Sequence, residues 1–95
     1  MSEVNRRDCF KFEKNFGSKA RIKILKLLAI NLEQSISQII KNTNLNHSCV
    51  SKHLNYLKSL NLVQEKNFGR IKIFRYKIEN IKAKSLKNFI EIWES

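Results

Sequence analysis

Apolar residues recur at spacings of three and four along most of the chain, but between residues 62 and 78 they alternate with polar ones. The first spacing is typical of helices with one buried face, and the second of half-buried strands. Together they predict helices over 5–15, 19–31, 36–43, 47–60 and 80–94, and strands over 62–66 and 71–78 around a turn at 67–70. We therefore expect a mainly α (α+β) chain in the order α-α-α-α-β-β-α.

The helix expected over 19–31 begins after Ser18, whose hydroxyl makes a good N-cap. The residues expected on its core face are Ile22, Leu25, Leu28 and Ala29, flanked by Ile24 and Leu32, whereas Arg21, Lys23 and Lys26 are expected to point elsewhere. This pattern predicts a helix that packs on the core with one face and carries basic residues on the other.

Two helices joined by a tight turn are predicted over 35–61. Ser35 and Gln38 have the spacing of a capping box, and Asn46 can cap the second helix. Asn44 tolerates the left-handed conformation that ends a helix. The second helix has an apolar stripe of Val50, Leu54, Leu57 and Leu60, and its other side carries His47, Ser48, Ser51, Lys52 and Asn55.

The alternating segment predicts a hairpin in which Phe74, Tyr76 and Ile78 share one face. The other face mixes Ile71 and Ile73 with basic residues, and the sequence gives no full explanation for it. A bulge at Gly69 is one alternative to a regular turn.

A short helix pair followed by a basic hairpin is the plan of a winged helix-turn-helix domain. We predict a single such domain over 1–95, with the helix-turn-helix at 35–61, the wing at 62–78 and a C-terminal helix at 80–94.

The charge of the chain favours a polyanionic partner. Nineteen Lys and Arg against eight Asp and Glu give a net charge of +11, and nucleic acid is the commonest partner of such a domain. A merely soluble basic protein is the alternative; a membrane-surface role is less favoured because the basic residues are spread over several segments. No apolar run approaches the roughly 18–20 residues that cross a bilayer, and the N-terminus lacks the apolar region of a secretory signal. We expect a cytoplasmic protein.

The two cysteines, Cys9 and Cys49, lie far apart and form no Cys-x-x-Cys pair. With His47 and His53 they match no common zinc module, so we expect free thiols, no metal and no cofactor. An enzyme is not expected, because the histidines have no evident nucleophile and glycine is too scarce for a phosphate loop.

The segments 18–28, 35–40, 45–57 and 69–78 resemble winged-helix repressors, most closely the arsenic-repressor (ArsR) type and next the MarR type. The densest match is 45–54, which is similar to a recognition helix with a Val-Ser-Arg-His-Leu core. Lys52 stands where that core has Arg, and Asn44 where the turn commonly has Gly. The resemblance implies a DNA-binding transcriptional regulator, usually a homodimer paired through its terminal helices. The Cys-containing motif of the metal-sensing members is missing, so metal sensing is not supported.

The first turns of the second helix reach base edges in major-groove docking. The residues expected to contact bases are His47, Ser48, Ser51 and Lys52. The residues expected to contact the DNA backbone, from the wing or from further along the helix, are Arg70, Lys72, Lys66, Arg75 and Asn55. The alternative for both sets is an ordinary solvated surface. Cys49 is expected to be a half-buried filler, with a redox switch as the alternative, and His53 is expected to pack.

The terminal helices offer more apolar area than a small winged core can cover. The residues expected to pair with a second copy are Phe10, Leu86, Phe89, Ile90 and Trp93. A two-fold dimer would place two recognition helices about 34 Å apart, one turn of DNA.

The function expected is that of a sequence-specific homodimeric repressor acting on double-stranded DNA. Two alternatives stay open at this point. One is an architectural or replication protein with little sequence preference, and the other is a winged-helix module for protein interaction.

Overall fold

The computed structural model describes residues 18–94. Its helices are α1 (Lys19–Asn31), α2 (Ile36–Thr43), α3 (His47–Ser59) and α4 (Ile81–Glu94), and its strands are β1 (Glu33–Ser35), β2 (Val63–Phe68) and β3 (Ile71–Tyr76). The helix expected over 5–15, and with it Phe10, lies outside the described residues. The helices predicted after it are confirmed to within a residue or so at each end.

The caps proposed from the sequence are present. Ser18 Oγ accepts a hydrogen bond from Arg21 N at 3.2 Å, and Asn46 Oδ1 accepts one from Cys49 N at 2.8 Å. Ser35 and Gln38 form the full capping box. Asn44 adopts a φ of 62° and so ends α2 in the left-handed conformation. These local bonds fix where α2 stops and α3 starts.

The sheet contains a strand that the sequence pattern did not predict. The strand order is β1-β3-β2, all antiparallel, and β1 pairs with β3 through Glu33↔Arg75, Gln34↔Phe74 and Ser35↔Ile73. A three-residue strand is too short to show a period of two, so its pairing depends on β3 being beside it.

The hairpin is tighter and straighter than expected. β2 continues to Phe68, which pairs with Ile71 in an unbroken register, so the loop is only Gly69 and Arg70 and the alternative of a bulge is wrong. Gly69 has a φ of 63°, the sign that the first position of a type II′ hairpin turn requires. β3 stops at Tyr76, and Ile78 is exposed instead of sharing the core face with Phe74 and Tyr76.

The core lies between α1, α3 and the inner face of the sheet. Its buried residues are Ile24, Leu25, Leu28, Ala29, Ile39, Val50, Leu54, Leu57, Leu62, Val63, Phe74, Tyr76 and Ala83. The expected face of α1 was wrong at three positions. Ile24 is fully buried whereas Ile22 is 36% exposed, and Arg21 is turned inward.

α4 is attached to this core through one fully buried residue and a buried hydrogen bond near its start, and further along Leu86 and Ile90 pack against the core. Ala83 is fully buried, and the buried Tyr76 Oη donates to its carbonyl oxygen at 2.6 Å. The rest of α4 is exposed or half-buried. None of the helices in residues 18–94 is long and apolar enough to span a membrane.

Candidate nucleic-acid interface

One side of α3 is buried and the other is open. Val50, Leu54 and Leu57 are fully buried. On the open side His47, Ser48, Lys52 and Asn55 are exposed, and Ser51 is half-buried. Ser48, Lys52 and Asn55 follow one another at spacings of four and three, so they lie in one row along the helix.

The helix-turn-helix carries positive charges and no negative ones. No Asp or Glu occurs between residues 36 and 64, whereas Lys41, Lys52 and Lys58 do. A surface with positive charge and exposed hydroxyl and imidazole groups suits an anionic ligand that also offers hydrogen-bonding edges.

A buried polar cluster connects α3 to α1, and sequence reasoning missed its arginine. Arg21 Nε donates to His53 Nδ1 at 3.2 Å, and the Arg21 guanidinium lies over the Tyr56 ring, 3.9 Å from its centroid. Arg21 and His53 are each only 9% exposed. His53 was expected to pack, and it does so as a hydrogen-bond acceptor.

The charge state of His53 follows from this geometry. Burial, and then the nearby Arg21 and Lys52 charges, lower the pKa of His53 below its usual value. Nδ1 can accept from Arg21 only while it is unprotonated, so the imidazole is neutral with its proton on Nε2. The cluster therefore holds α3 against α1 without adding a second buried charge.

The wing is less uniformly positive in space than in sequence. All charged residues between 66 and 77 are basic, but acids from outside that stretch meet three of them. Lys66 Nζ lies 3.0 Å from Glu33 Oε2, Lys72 Nζ lies 4.0 Å from Glu65 Oε2, and Arg75 Nη2 lies 2.7 Å from Glu79 Oε2.

The shortest of these three pairs, Arg75 with Glu79, lies near the base of the hairpin. Arg75 also donates to Gln64 Oε1 at 2.9 and 3.1 Å, and its hydrogen bonds lower the pKa of Glu79 to about 2. Arg70, in the turn at the tip, is exposed and forms no ion pair with any residue in the described part of the chain. An unneutralised positive charge of the wing therefore lies at its tip; Lys77, at the other end of the wing, donates to the uncharged Asn61 Oδ1 at 2.7 Å.

The sequence profile of bacterial regulatory proteins of the arsR family matches residues 18–65, which include α1, the helix-turn-helix and the first half of β2. The chain belongs to the arsR family.

Solved structures confirm the fold of this arsR-family chain. HlyU from Vibrio cholerae N16961 superposes with a TM-score of 0.76 at 20% identity, over 97% of each chain. PagR of Bacillus anthracis, described as a transcriptional repressor, gives 0.69 at 21% identity over 92% of this chain and 97% of its own.

A third solved structure is a homodimeric winged helix-turn-helix DNA-binding domain, Mb0332 from Mycobacterium bovis. It gives a TM-score of 0.70 at 23% identity over 99% of this chain and 87% of its own. A comparison with curated proteins gave no match. The winged helix-turn-helix fold expected from the sequence is thus confirmed, with β1 as an addition to the expected order.

The arsR-family chain shows no sign of a metal centre in the part that the structure describes. Cys49 is a half-buried free thiol on α3. No three His, Cys, Asp or Glu side chains within residues 18–94 lie close enough together to hold a metal ion.

The apolar residues of α4 form an open face beside α1. A groove of about 300 Å³ lies between the two helices and is lined mainly by Ile22, Leu25, Leu86, Phe89, Ile90 and Trp93. Phe89 and Trp93 are 57% and 76% exposed, and their rings lie 5.7 Å apart. All four predicted pairing residues of α4 are therefore brought to one groove.

Proposed function

We propose that this arsR-family chain is a homodimeric, sequence-specific repressor that binds double-stranded DNA through α3 and the wing. The observation that carries the proposal is the division of α3 into a fully buried apolar side and an open polar side at its capped N-terminus. A helix held in this way can enter a major groove without losing its packing.

Each exposed residue at the start of α3 has a chemistry that base edges can use. Lys52 can donate to guanine O6 and N7 or to a phosphate, and Ser48, Ser51 and His47 can donate or accept. Asn55 lies further along the same row, so we propose that it contacts the DNA backbone. Because phosphate contacts position a protein and base contacts specify the sequence, Lys52 and Ser48 are the residues on which selectivity should depend most.

In the wing, the geometry favours the tip. Arg70 is exposed and forms no ion pair within the described residues. Lys72 is paired loosely, with 4.0 Å between its Nζ and Glu65 Oε2. Lys66 and Arg75 already have carboxylate partners at 3.0 and 2.7 Å. We propose that Arg70 and Lys72 contact the DNA backbone or minor groove, and that Lys66 and Arg75 contribute less because DNA would have to compete with those acids.

The dimer is proposed from the face of α4. A groove with exposed aromatic rings at its edge would gain roughly 25 cal/mol for each Å² of apolar surface removed from water. A second copy buries such a face with two-fold symmetry, and the related Mb0332 domain is described as homodimeric. Phe10 would belong to the same interface. A regulator of this kind acts on the chromosome, so we propose a cytoplasmic location, with no enzymatic activity, cofactor or metal.

Selection of genomic fragments, followed by footprinting, tests the DNA-binding proposal. One enriched palindromic site is expected, with an affinity that falls steeply with salt. Uniform coverage of the genome would indicate an architectural protein instead, and a log–log salt slope near zero would exclude DNA binding altogether.

Substitution of Lys52 tests the role of α3. Lys52→Ala should weaken binding to the selected site by about tenfold, the cost of one good base contact, and should reduce its preference over random duplex. Lys84→Ala is the matched control, because it removes an equal charge from an exposed position on α4. Equal losses in the two variants would contradict base contact by Lys52.

Sedimentation analysis tests the dimer. The double change Phe89→Asp and Trp93→Asp should yield a monomer and should weaken binding to the palindrome, because both half-sites must be held at once. Ile30→Asp, at a 57% exposed position on α1, is the control. A wild-type monomer at micromolar concentration would contradict the proposal.

A further inference from the structure

The outer face of the hairpin carries an apolar pair at its tip. Side chains of a strand alternate between its two faces, and Phe74 and Tyr76 are buried on the inner face. The residues that point away from the core are therefore Gln64, Lys66, Phe68, Ile71, Ile73 and Arg75, which pair with one another across the hairpin. Phe68 and Ile71 lie directly opposite each other in the last pair before the turn and are 58% and 56% exposed. Ile71 is one of the two isoleucines on the mixed face that the sequence left unexplained.

The fold does not need this pair. The inner face of the hairpin already supplies Val63, Phe74 and Tyr76 to the core, whereas Phe68 and Ile71 are not part of it. Two large apolar side chains at the end of an open hairpin would usually be replaced by charged ones, since an apolar edge invites aggregation. The pair is therefore available for burial by a partner.

The charge around the pair decides what that partner is. Arg70 lies between Phe68 and Ile71 in the turn, Lys72 follows, and no Asp or Glu occurs between residues 66 and 78. A second copy of this tip would be repelled by its own sign. A minor groove offers the complement, because apolar sugar faces form the walls of a groove about 6 Å wide and a row of phosphates lines each of its edges.

The length of the hairpin fits that position. From Tyr76 beside the core to Ile71 at the tip is five residues of extended chain, or about 17 Å. Half a turn of DNA, which separates a major groove from the next minor groove on the same side, is also about 17 Å. A helix in the major groove and the tip in the adjacent minor groove are therefore compatible.

We propose that Phe68 and Ile71 form a wedge that enters the minor groove flanking the site read by α3, while Arg70 and Lys72 contact the phosphates at its edges. The wedge partly unstacks a base step, so it favours flexible pyrimidine–purine steps such as TA over stiff ones such as AA. This inference rests on the proposed DNA-binding function and adds a second source of sequence preference to it.

The test compares wild type with the double variant Phe68→Ala and Ile71→Ala. The probes are duplexes carrying the selected site, with TA or AA at the flanking step and 2-aminopurine beside it. Wild type should bind the TA duplex about three- to tenfold more tightly and should raise the 2-aminopurine fluorescence as the step unstacks. The double variant should bind both duplexes equally, with no rise in fluorescence.

Two controls separate this result from a loss of folding or of binding in general. Both replaced residues are exposed, so the melting temperature should not fall, and Ile30→Ala removes an equally exposed apolar side chain far from the tip and should behave as wild type. If wild type binds the site with a steep salt dependence but the double variant discriminates the flanks just as well, the wedge is refuted and the proposed function stands. If wild type binds no duplex, both are overturned. Wild type and the double variant should also be compared for binding to anionic vesicles. If the double variant loses only vesicle binding and binds DNA as wild type does, the wedge is overturned.

Discussion

Replacing Arg21 by methionine removes the charged member of the cluster that connects α1 to α3. Methionine keeps much of the aliphatic stem that packs in this position, so the change is mainly the loss of the guanidinium. Three consequences follow at distances given by the structure: the 3.2 Å bond to His53 disappears, the contact over Tyr56 is lost, and a nine-tenths buried charge no longer has to be desolvated.

The first two consequences destabilise the fold and the third stabilises it. Leaving His53 Nδ1 without a donor costs about 1–3 kcal/mol, and the cation–π contact contributes about 0.5–2 kcal/mol. Relief of the buried charge offsets part of this, since desolvation of an ion is itself costly. We expect a net loss of about 1–3 kcal/mol, in the range of well-studied buried hydrogen-bond deletions.

Urea unfolding followed by circular dichroism measures this loss. For a small domain the expected change corresponds to a fall in midpoint of about 1–2 M with an unchanged slope. Protein concentration has to be held constant, because dimerisation would add to the apparent stability. Lys23→Met, two residues further along the exposed side of α1, is the control and should change stability by less than about 0.5 kcal/mol.

A double-mutant cycle with His53→Leu shows whether the pair interacts. Leucine fills much of the space of the imidazole but offers no acceptor to Arg21 Nε. Arg21→Met should cost at least about 0.5 kcal/mol less in the His53→Leu background than in wild type, because the bond between the two side chains is already absent there. Additive effects, or an Arg21→Met variant as stable as the Lys23→Met control, would refute the role assigned to the cluster.

Three further predictions concern other contacts. Because the pKa of His53 is lowered in the folded state, the unfolded chain binds more protons than the folded one below about pH 6.5. The free energy of unfolding should therefore fall as the pH drops from there to the lowered pKa. Urea titrations at several pH values should show that His53→Asn, but not His47→Ala, removes this dependence. Tyr76→Phe should destabilise the protein by about 1 kcal/mol by removing the bond to the Ala83 carbonyl. Since burial raises the pKa of Tyr76 to about 12, the difference in alkaline absorbance between wild type and Tyr76→Phe should show its ionisation only near there, and such a difference near pH 10 in folded protein would contradict its burial. Asn44→Ala should cost about 1 kcal/mol because alanine resists a φ of 62°, whereas Asn44→Gly should be close to neutral, and equal melting temperatures for the two would contradict the strain argument.

The capped helices and the open side of α3 could be predicted from the sequence. Ser18, Ser35 and Asn46 each bond to a backbone N–H three residues away, so their role depends on neighbours along the chain. The stripe through Val50 and Leu57 repeats at helical spacing for the same reason. Local bonds and a strong periodicity hold whatever the rest of the chain does.

The tertiary structure alone decided which groups meet across elements. β1 exists only because Glu33 to Ser35 lie beside β3, some forty residues later in the chain. Arg21 is buried because His53 and Tyr56 of α3 come to it, and nothing near Arg21 in the sequence indicates this. The inward turn of Ile24 in place of Ile22 follows from the same packing.

The wing shows the two contributions together. Its basic run and its alternation are written in residues 62–78, and they predicted a positive hairpin correctly. The acids that neutralise Lys66 and Arg75 are Glu33 and Glu79, and the register that points Phe68 and Ile71 outward is set by the buried residues of β3. Electrostatic pairing and burial depend on distances in space. The sequence therefore determined that the wing is basic. Only the fold decided that the unpaired charge of Arg70 lies beside the exposed apolar pair Phe68 and Ile71 at the tip.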